Sequence, residues 1–377
     1  MTLLARLRRW WLDVHLWIGA GLLLVLAPLG VSGSYLVWHD AIDRALHAER
    51  YAVSGPQAAL PAEAYAERAQ QAFAGRATLS QLRLPATPGD PVVAVGRIGG
   101  PGGPGGRPRQ LNAWIDPPTG RVLAIAEPAR GFSMWTHRLH GTLLIPQVGR
   151  KLVGWLGWAM FVSCATGLWL WWPRHGGFVS GLRWRRGASQ LFNLHHMVGF
   201  WLCLPLAVLS LTGVYISFPQ TSRALFGVQA PAAAPGGGRG AGRFAPPLPR
   251  PQLSVAQAVV AAAALAPGRT LASLSTPTRG NAPAWRVEFS GPAGPLSVRV
   301  LDATGEAKAA RGAQPGGEGG PDPFSRTVRR IHDGTDTGYI WRMAIAVAGL
   351  APLVLGASGL IMWLRRRSRR RAVRHAA

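Results

Sequence analysis

The sequence predicts an α-helical membrane protein, with four transmembrane helices in two repeats and two α+β domains outside the lipid. Three observations predict it: four apolar runs long enough to cross a bilayer, arginine clusters beside alternate ends of those runs, and residue spacings that recur between the halves of the chain. Of the 377 residues 48% are hydrophobic and mean hydropathy is +0.13, so the chain is part membrane and part water.

The runs are Val14 to Trp38, Leu152 to Trp172, Met197 to Phe218 and Met343 to Leu364, each near the 20 or so apolar residues a crossing needs. Tryptophans such as Trp10, Trp38, Trp172, Trp341 and Trp363 stand at their edges, where an interfacial belt belongs. Arg6, Arg8 and Arg9 precede the first run. Arg174, Arg183, Arg185 and Arg186 fill the short loop between the second and third, and Arg365 to Arg367, Arg369 to Arg371 and Arg374 follow the fourth. Short basic segments stay in the cytoplasm, so both chain ends are expected there and the two long segments on the far side. The expected order is helix 1 (1–38), an outer domain (39–139), an amphipathic segment with helix 2 (140–173), a basic loop (174–194), helix 3 (195–219), a second outer domain (220–331), an amphipathic segment with helix 4 (332–364) and a basic tail (365–377). The first run exceeds a signal-peptide core of about 7–15 residues and is read as retained. A net charge of +25 could indicate nucleic acid, but the arginines cluster beside apolar runs, which excludes that partner and points to lipid.

The halves are duplicates. His15 is followed by Gly19 and Ser32-Gly33, and His195 by Gly199 and Thr212-Gly213, at the same spacings of 4 and 18 residues. His140 precedes Arg150 by 10 and reaches Gly167 at 27; His332 precedes Arg342 and reaches Gly359 at the same distances. Each outer segment has an alanine-rich helix (61–74 and 254–266), short strands and an Asp-to-Gly turn, WIDPPTGRV and VLDATGEAK.

Four of the ten histidines therefore occupy equivalent places, His15 with His195 at the cytoplasmic end and His140 with His332 at the outer end. An imidazole at membrane depth is costly and marks function. In a straight helix Gly33 falls on the His15 face about 27 Å along the axis, so imidazole and glycines together offer a ligand and a flat surface for a planar macrocycle. Close helix packing is the other reading of Gly19, Gly33, Gly199 and Gly213. With only Cys164 and Cys203, both in apolar runs, there is no CxxCH and any haem is non-covalent. His137 and His196 neighbour the proposed ligands, and His39, His47, His175 and His375 read as surface groups. Asp13 is expected to support the helix start or bond to His15.

The motifs VHLWIG, LHHMVG, LTGVY, RLHGTLL and RIHDG, in this order over nearly the whole chain, resemble the PepSY-associated transmembrane family. That resemblance implies PepSY-like outer domains in the periplasm of a bacterium and a multi-pass inner-membrane location. Family members similar to ferric-siderophore reductases hold haem through membrane histidines, which implies two b-type haems on His15, His195, His140 and His332. Gly19 and Gly199 would lie against them. The electron donor would be a quinol or a cytosolic flavin/NAD(P)H reductase, and the acceptor a ferric siderophore. A haem-free peptide- or protease-binding regulatory module and a metal transporter remain as alternatives. Arg138, Arg150, Arg329, Arg330 and Arg342 could attract an anionic iron complex or contact lipid headgroups. The inserts at 99–108 and 312–323 read as disordered loops, and no nucleophile–base set, phosphate loop or zinc spacing is present.

Overall fold

The computed structural model describes residues 3–99, 109–173, 177–185, 187, 189–227, 245–280, 282–292, 294–309 and 322–376. Both inserts, apart from Gly99, Asp322 and Pro323, lie outside these residues, as do Arg174, His175, Arg186 and the side chains of Arg370, Arg374 and His375. The chain divides into a helical unit (Met1–His39, Trp135–Val228 and Phe324–Ala377) and a sheet unit (Asp40–Met134 and Gln229–Pro323).

The helical unit opens with α1 (Leu3–Gly21) and α2 (Leu23–Val37), which meet at a 66° bend. This corrects the straight first helix, and with it the placing of Gly33 on the His15 face. Gly19 and Gly21 straddle the last turn of α1, and Pro28 follows inside α2. The equivalent of Gly21 in the second repeat is Trp201, and α8 (Gln190–Ser217) is unbroken. A second glycine near a proline is an ordinary cause of a kink. The remaining long helices are α6 (Gly149–Trp171) and α12 (Tyr339–Ala376), the latter continuing through the basic tail. Among the described residues three helices are long and apolar enough to cross a membrane, or four if the bent pair counts as one.

Small residues bring these helices together. A Cβ on Gly30 would meet the Gly349 carbonyl, and Ser34 Oγ donates to the Ala346 carbonyl at 2.7 Å, fixing α2 on α12. At the equivalent places on α6 and α8, a Cβ on Gly157 would lie 3.2 Å from the Ser210 carbonyl. Lipid gives no hydrophobic drive between helices, so such close backbone contact is what holds them. Short helices precede two of the long ones: α5 (Phe132–Thr142) before α6, and α11 (Pro323–Asp333) before α12.

In the sheet unit, α3 (His39–Leu46) leads from the bundle into α4 (Ala62–Phe73) and strands β1 (Thr78–Arg83), β2 (Val92–Arg97), β3 (Gln110–Ile115) and β4 (Val122–Ala126). The second segment has α10 (Val255–Ala263) and β5 (Thr270–Ser275), β6 (Ala284–Ser290), β7 (Leu296–Leu301) and β8 (Ala307–Ala309). The strands of the two segments share one sheet: β1 pairs with β5, giving a single antiparallel sheet in the order β4-β3-β2-β1-β5-β6-β7-β8. One core runs across the joint, from Tyr65, Phe73 and Leu82 to Leu274, Trp285 and Val287. Each half ties its Asp-to-Gly turn to the segment ahead of its helix. Asp116 accepts from Ser54 N at 2.7 Å and Ser54 Oγ at 2.6 Å, and Asp302 from Gln252 N at 2.9 Å, Leu253 N at 3.2 Å and Trp285 Nε1 at 3.0 Å. Two buried carboxylates are thereby satisfied.

Candidate functional site

Within the helical unit the four equivalent histidines come together in two pairs. The His15 and His195 ring centres are 6.4 Å apart with the rings perpendicular, and those of His140 and His332 are 6.1 Å apart with the rings tilted by 45°. The pairs lie toward opposite ends of α8, which carries His195 and, 18 residues on, the Gly213 that meets His332, about 27 Å along the axis.

The Ser/Thr-Gly motifs are seats for these rings. Thr166 Oγ1 lies 3.0 Å from His15 Nδ1, Ser32 Oγ 3.4 Å from His140 Nδ1, Ser358 Oγ 2.8 Å from His195 Nδ1 and Thr212 Oγ1 2.9 Å from His332 Nδ1. Each hydroxyl already gives its proton to a carbonyl of its own helix: Thr166 to Val162, Ser32 to Leu29, Ser358 to Leu355 and Thr212 to Val208. It can then only accept, which places the imidazole proton on Nδ1. The Ser163 carbonyl, 3.1 Å from His15 Nδ1, and the Leu29 carbonyl, 2.9 Å from His140 Nδ1, impose the same tautomer. All four Nε2 atoms are left as bare acceptors, the form in which histidine binds a metal.

The glycine of each motif makes room for the ring edge. A Cβ would stand 2.8 Å from His140 Cε1 at Gly33, 3.0 Å from His15 at Gly167, 3.2 Å from His332 at Gly213 and 3.5 Å from His195 at Gly359. Gly33 and Gly213 therefore serve His140 and His332 rather than extending a surface above His15 and His195. Gly19 and Gly199 differ again. They line a cavity of about 1160 Å³ beside His15 and His195; Gly19 has open space where a side chain would be, and Gly199 only Leu355 at 3.8 Å.

The neighbouring groups have other partners. His196 is stacked between Trp171 and Phe192, with ring centres 5.7 Å from each. His137 is exposed on α5, outside the pair that His140 makes. Asp13 is exposed in mid-helix, so it neither starts α1 nor holds His15, whose Nδ1 goes to Ser163 and Thr166. His39 Nδ1 bonds the Leu36 carbonyl at 2.7 Å, and His47 lies 3.0 Å from Asp43. Arg150 and Arg342 donate to the Ile216 and Val37 carbonyls at the ends of α8 and α2, and Arg330 to the Asp336 carbonyl at 2.9 Å. These three guanidinium groups work as helix and turn caps.

Three features were not read from the sequence: the hydroxyls as acceptors for Nδ1, and the two cysteines and three arginines that line the cavity. The first had a signal, since a hydroxyl stands before the glycine in all four motif copies. Cys203 Sγ donates to the Cys164 carbonyl at 3.3 Å, and both residues line the cavity with Arg8, Arg9 and Arg366.

A helical membrane bundle with a seated histidine pair toward each end is the class of protein that fold and site define. The chain belongs to the family described as the PepSY-associated TM region, whose profile matches residues 12–366. Among curated proteins no relative matches it.

Proposed function

We propose that this protein is an inner-membrane electron conduit with two non-covalent b-type haems, one held by His15 and His195 and the other by His140 and His332. The observation that carries the reading is the spacing of the rings. The ring centres are 6.4 Å apart for His15 and His195 and 6.1 Å apart for His140 and His332, close enough for each pair to hold one metal between them. Each pair supplies two imidazoles, so a metal held there would take its remaining donors from a group such as a haem macrocycle.

The residues divide the work. Nε2 of each histidine is the ligand, the Ser/Thr hydroxyls and carbonyls hold the ring through Nδ1 and raise its basicity, and Gly19 and Gly199 leave the inner cavity open for the macrocycle. Haem held by these histidines would supply a one-electron iron couple suited to electron transfer. On this reading α1 and α2 form one bent span, giving four. The sheet unit comprises two PepSY-like folds on the periplasmic side. The donor is a quinol or a cytosolic flavin/NAD(P)H reductase, and the acceptor is a ferric siderophore.

Purified protein should show a Soret band that sharpens on reduction and two haems per chain. His15→Ala and His332→Ala should each remove one. The reduced protein should be reoxidised by a ferric siderophore, releasing ferrous iron to a ferrous chelator. Haem content unchanged in all four single alanine variants would refute the ligands, and parent haems that no ferric chelate reoxidises would refute the acceptor.

A further inference from the structure

We infer that Cys164 and Cys203 form a reversible disulfide between α6 and α8, closed by a lipid-soluble quinone that enters the cavity both cysteines line. The inference goes beyond the haem reading and does not rest on it.

These are the chain's only cysteines, and the duplication sets them on facing positions. Cys203 follows His195 by 8 residues, as Leu23 follows His15, and Cys164 follows His140 by 24, as Gly356 follows His332. The equivalent pair, Leu23 on α2 and Gly356 on α12, is in contact: a Cβ on Gly356 would touch Leu23 Cδ1 and lie 3.3 Å from Leu23 Cγ, the atom that stands where a cysteine has its sulfur. A disulfide needs Cβ atoms about 3.5–4.5 Å apart, and a γ atom at that distance from the facing Cβ is an approach of this kind. In the cysteine pair itself Cys203 Sγ donates to the Cys164 carbonyl at 3.3 Å, so its sulfur already lies against the residue it would bond. Both thiols are free.

Their surroundings select the oxidant. Cys164 and Cys203 share an apolar cluster with Leu206, Ala351, Met160 and Leu355, and both line the cavity of about 1160 Å³. Leaving a bare thiolate in such a cluster is costly, so an oxidant that takes protons together with electrons suits it. In the step, both S–H bonds break and one S–S bond forms; the two electrons and two protons released convert a quinone to its quinol. Cys164 stands two residues before Thr166, which seats His15, and Cys203 is on the helix that carries His195. The closed bond therefore ties the helix that seats one ring to the helix that bears its partner.

The test uses the full-length protein in detergent, reduced with a dithiol, freed of it and kept without oxygen. A short-chain ubiquinone analogue, whose fully substituted ring resists thiol addition, is added. After unfolding in dodecyl sulfate, the remaining thiols are counted by the gel shift of a maleimide polymer. Both thiols should be lost without a dimer on a non-reducing gel, with one quinol formed for each disulfide, and a fresh dithiol should restore both. Cys164→Ser and Cys203→Ser should each keep their one thiol and form no quinol above background; if either fails to fold, the parent's thiol count with and without quinone still decides. Thiols that stay reactive after quinone treatment would overturn the inference, as would loss through cross-linked dimers or a mass gain of one quinone. None of these outcomes bears on haem content at the histidine pairs, which is read separately from the Soret band.

Discussion

Substituting alanine at the four ring-seating glycines should give graded damage, ordered by the space each histidine leaves. The ideal Cβ lies 2.8 Å from the His140 ring at Gly33, 3.0 Å from His15 at Gly167, 3.2 Å from His332 at Gly213 and 3.5 Å from His195 at Gly359. Alanine gains about 0.8–1.0 kcal/mol over glycine in a helix interior, so an unobstructed site should become slightly more stable. Overpacking costs about 1–3 kcal/mol. At Gly33 the obstacle is a ring pinned by Leu29 and Ser32, and pushing it aside sacrifices a hydrogen bond worth about 0.5–1.5 kcal/mol. Gly33→Ala should therefore lose roughly 1–3 kcal/mol net, whereas Gly359→Ala, at ordinary contact distance, should stay within about 1 kcal/mol of the parent. Thermal unfolding in detergent gives the ranking, and on the proposed haem reading the haem retained at each pair gives an independent one. Gly359→Ala as damaging as Gly33→Ala, or Gly33→Ala without effect on the His140 pair, would refute the seating argument.

Arg342→Ala should cost about 1–2 kcal/mol, because it removes both the cap on the Val37 carbonyl and the stack 4.4 Å over Trp38; lysine should recover only part of this in unfolding measurements. Burial opposes ionisation of Asp116, yet the hydrogen bonds from Ser54 and Thr119 outweigh it and hold the carboxyl below its ordinary range. Its contribution is complete above about pH 4 and is lost as pH falls through the folded-state value, so Asp116→Asn should flatten the acid loss of hydrogen-exchange protection in β3 and β4. A reporter fused after Ala377 should be active only in the cytoplasm, and activity only on the other side would invert the orientation read from the arginine clusters.

What the sequence made legible was local or periodic: apolar length, flanking charge, and the spacings that single out four of ten histidines. The bend between α1 and α2 was hidden because it turns on one position, Gly21, where the other repeat has Trp201, and an apolar run reads the same whether straight or broken. The joining of the two halves of the sheet was hidden for a different reason. β1 and β5 are far apart in the chain, and nothing in either strand's alternation tells an edge from a partnered strand. The Ser/Thr-Gly motifs were visible as motifs but assigned to the wrong ring, since a straight helix placed Gly33 above His15, whereas the side chain that reaches Gly33 comes from α5. The place of Arg8, Arg9 and Arg366 on one cavity was hidden because they read equally well as charges that orient the helices, and only the folded chain brings them together.

The duplication also explains why the sites form only when both repeats are present. Within each repeat the support is reciprocal: α6 seats His15 and α2 seats His140, while α12 seats His195 and α8 seats His332. The ring-to-ring pairs, by contrast, each take one histidine from either repeat. A single repeat can thus orient its two imidazoles and fix their tautomers, but it offers one histidine per pair. The second histidine arrives when α2 packs on α12 and α6 on α8, through the close contacts at Gly30 and Gly349 and at Gly157 and Ser210. Assembly of the bundle and completion of the two pairs are then one event, and a small residue on a helix contact far from any histidine controls the histidine–histidine spacing as directly as the seats themselves do.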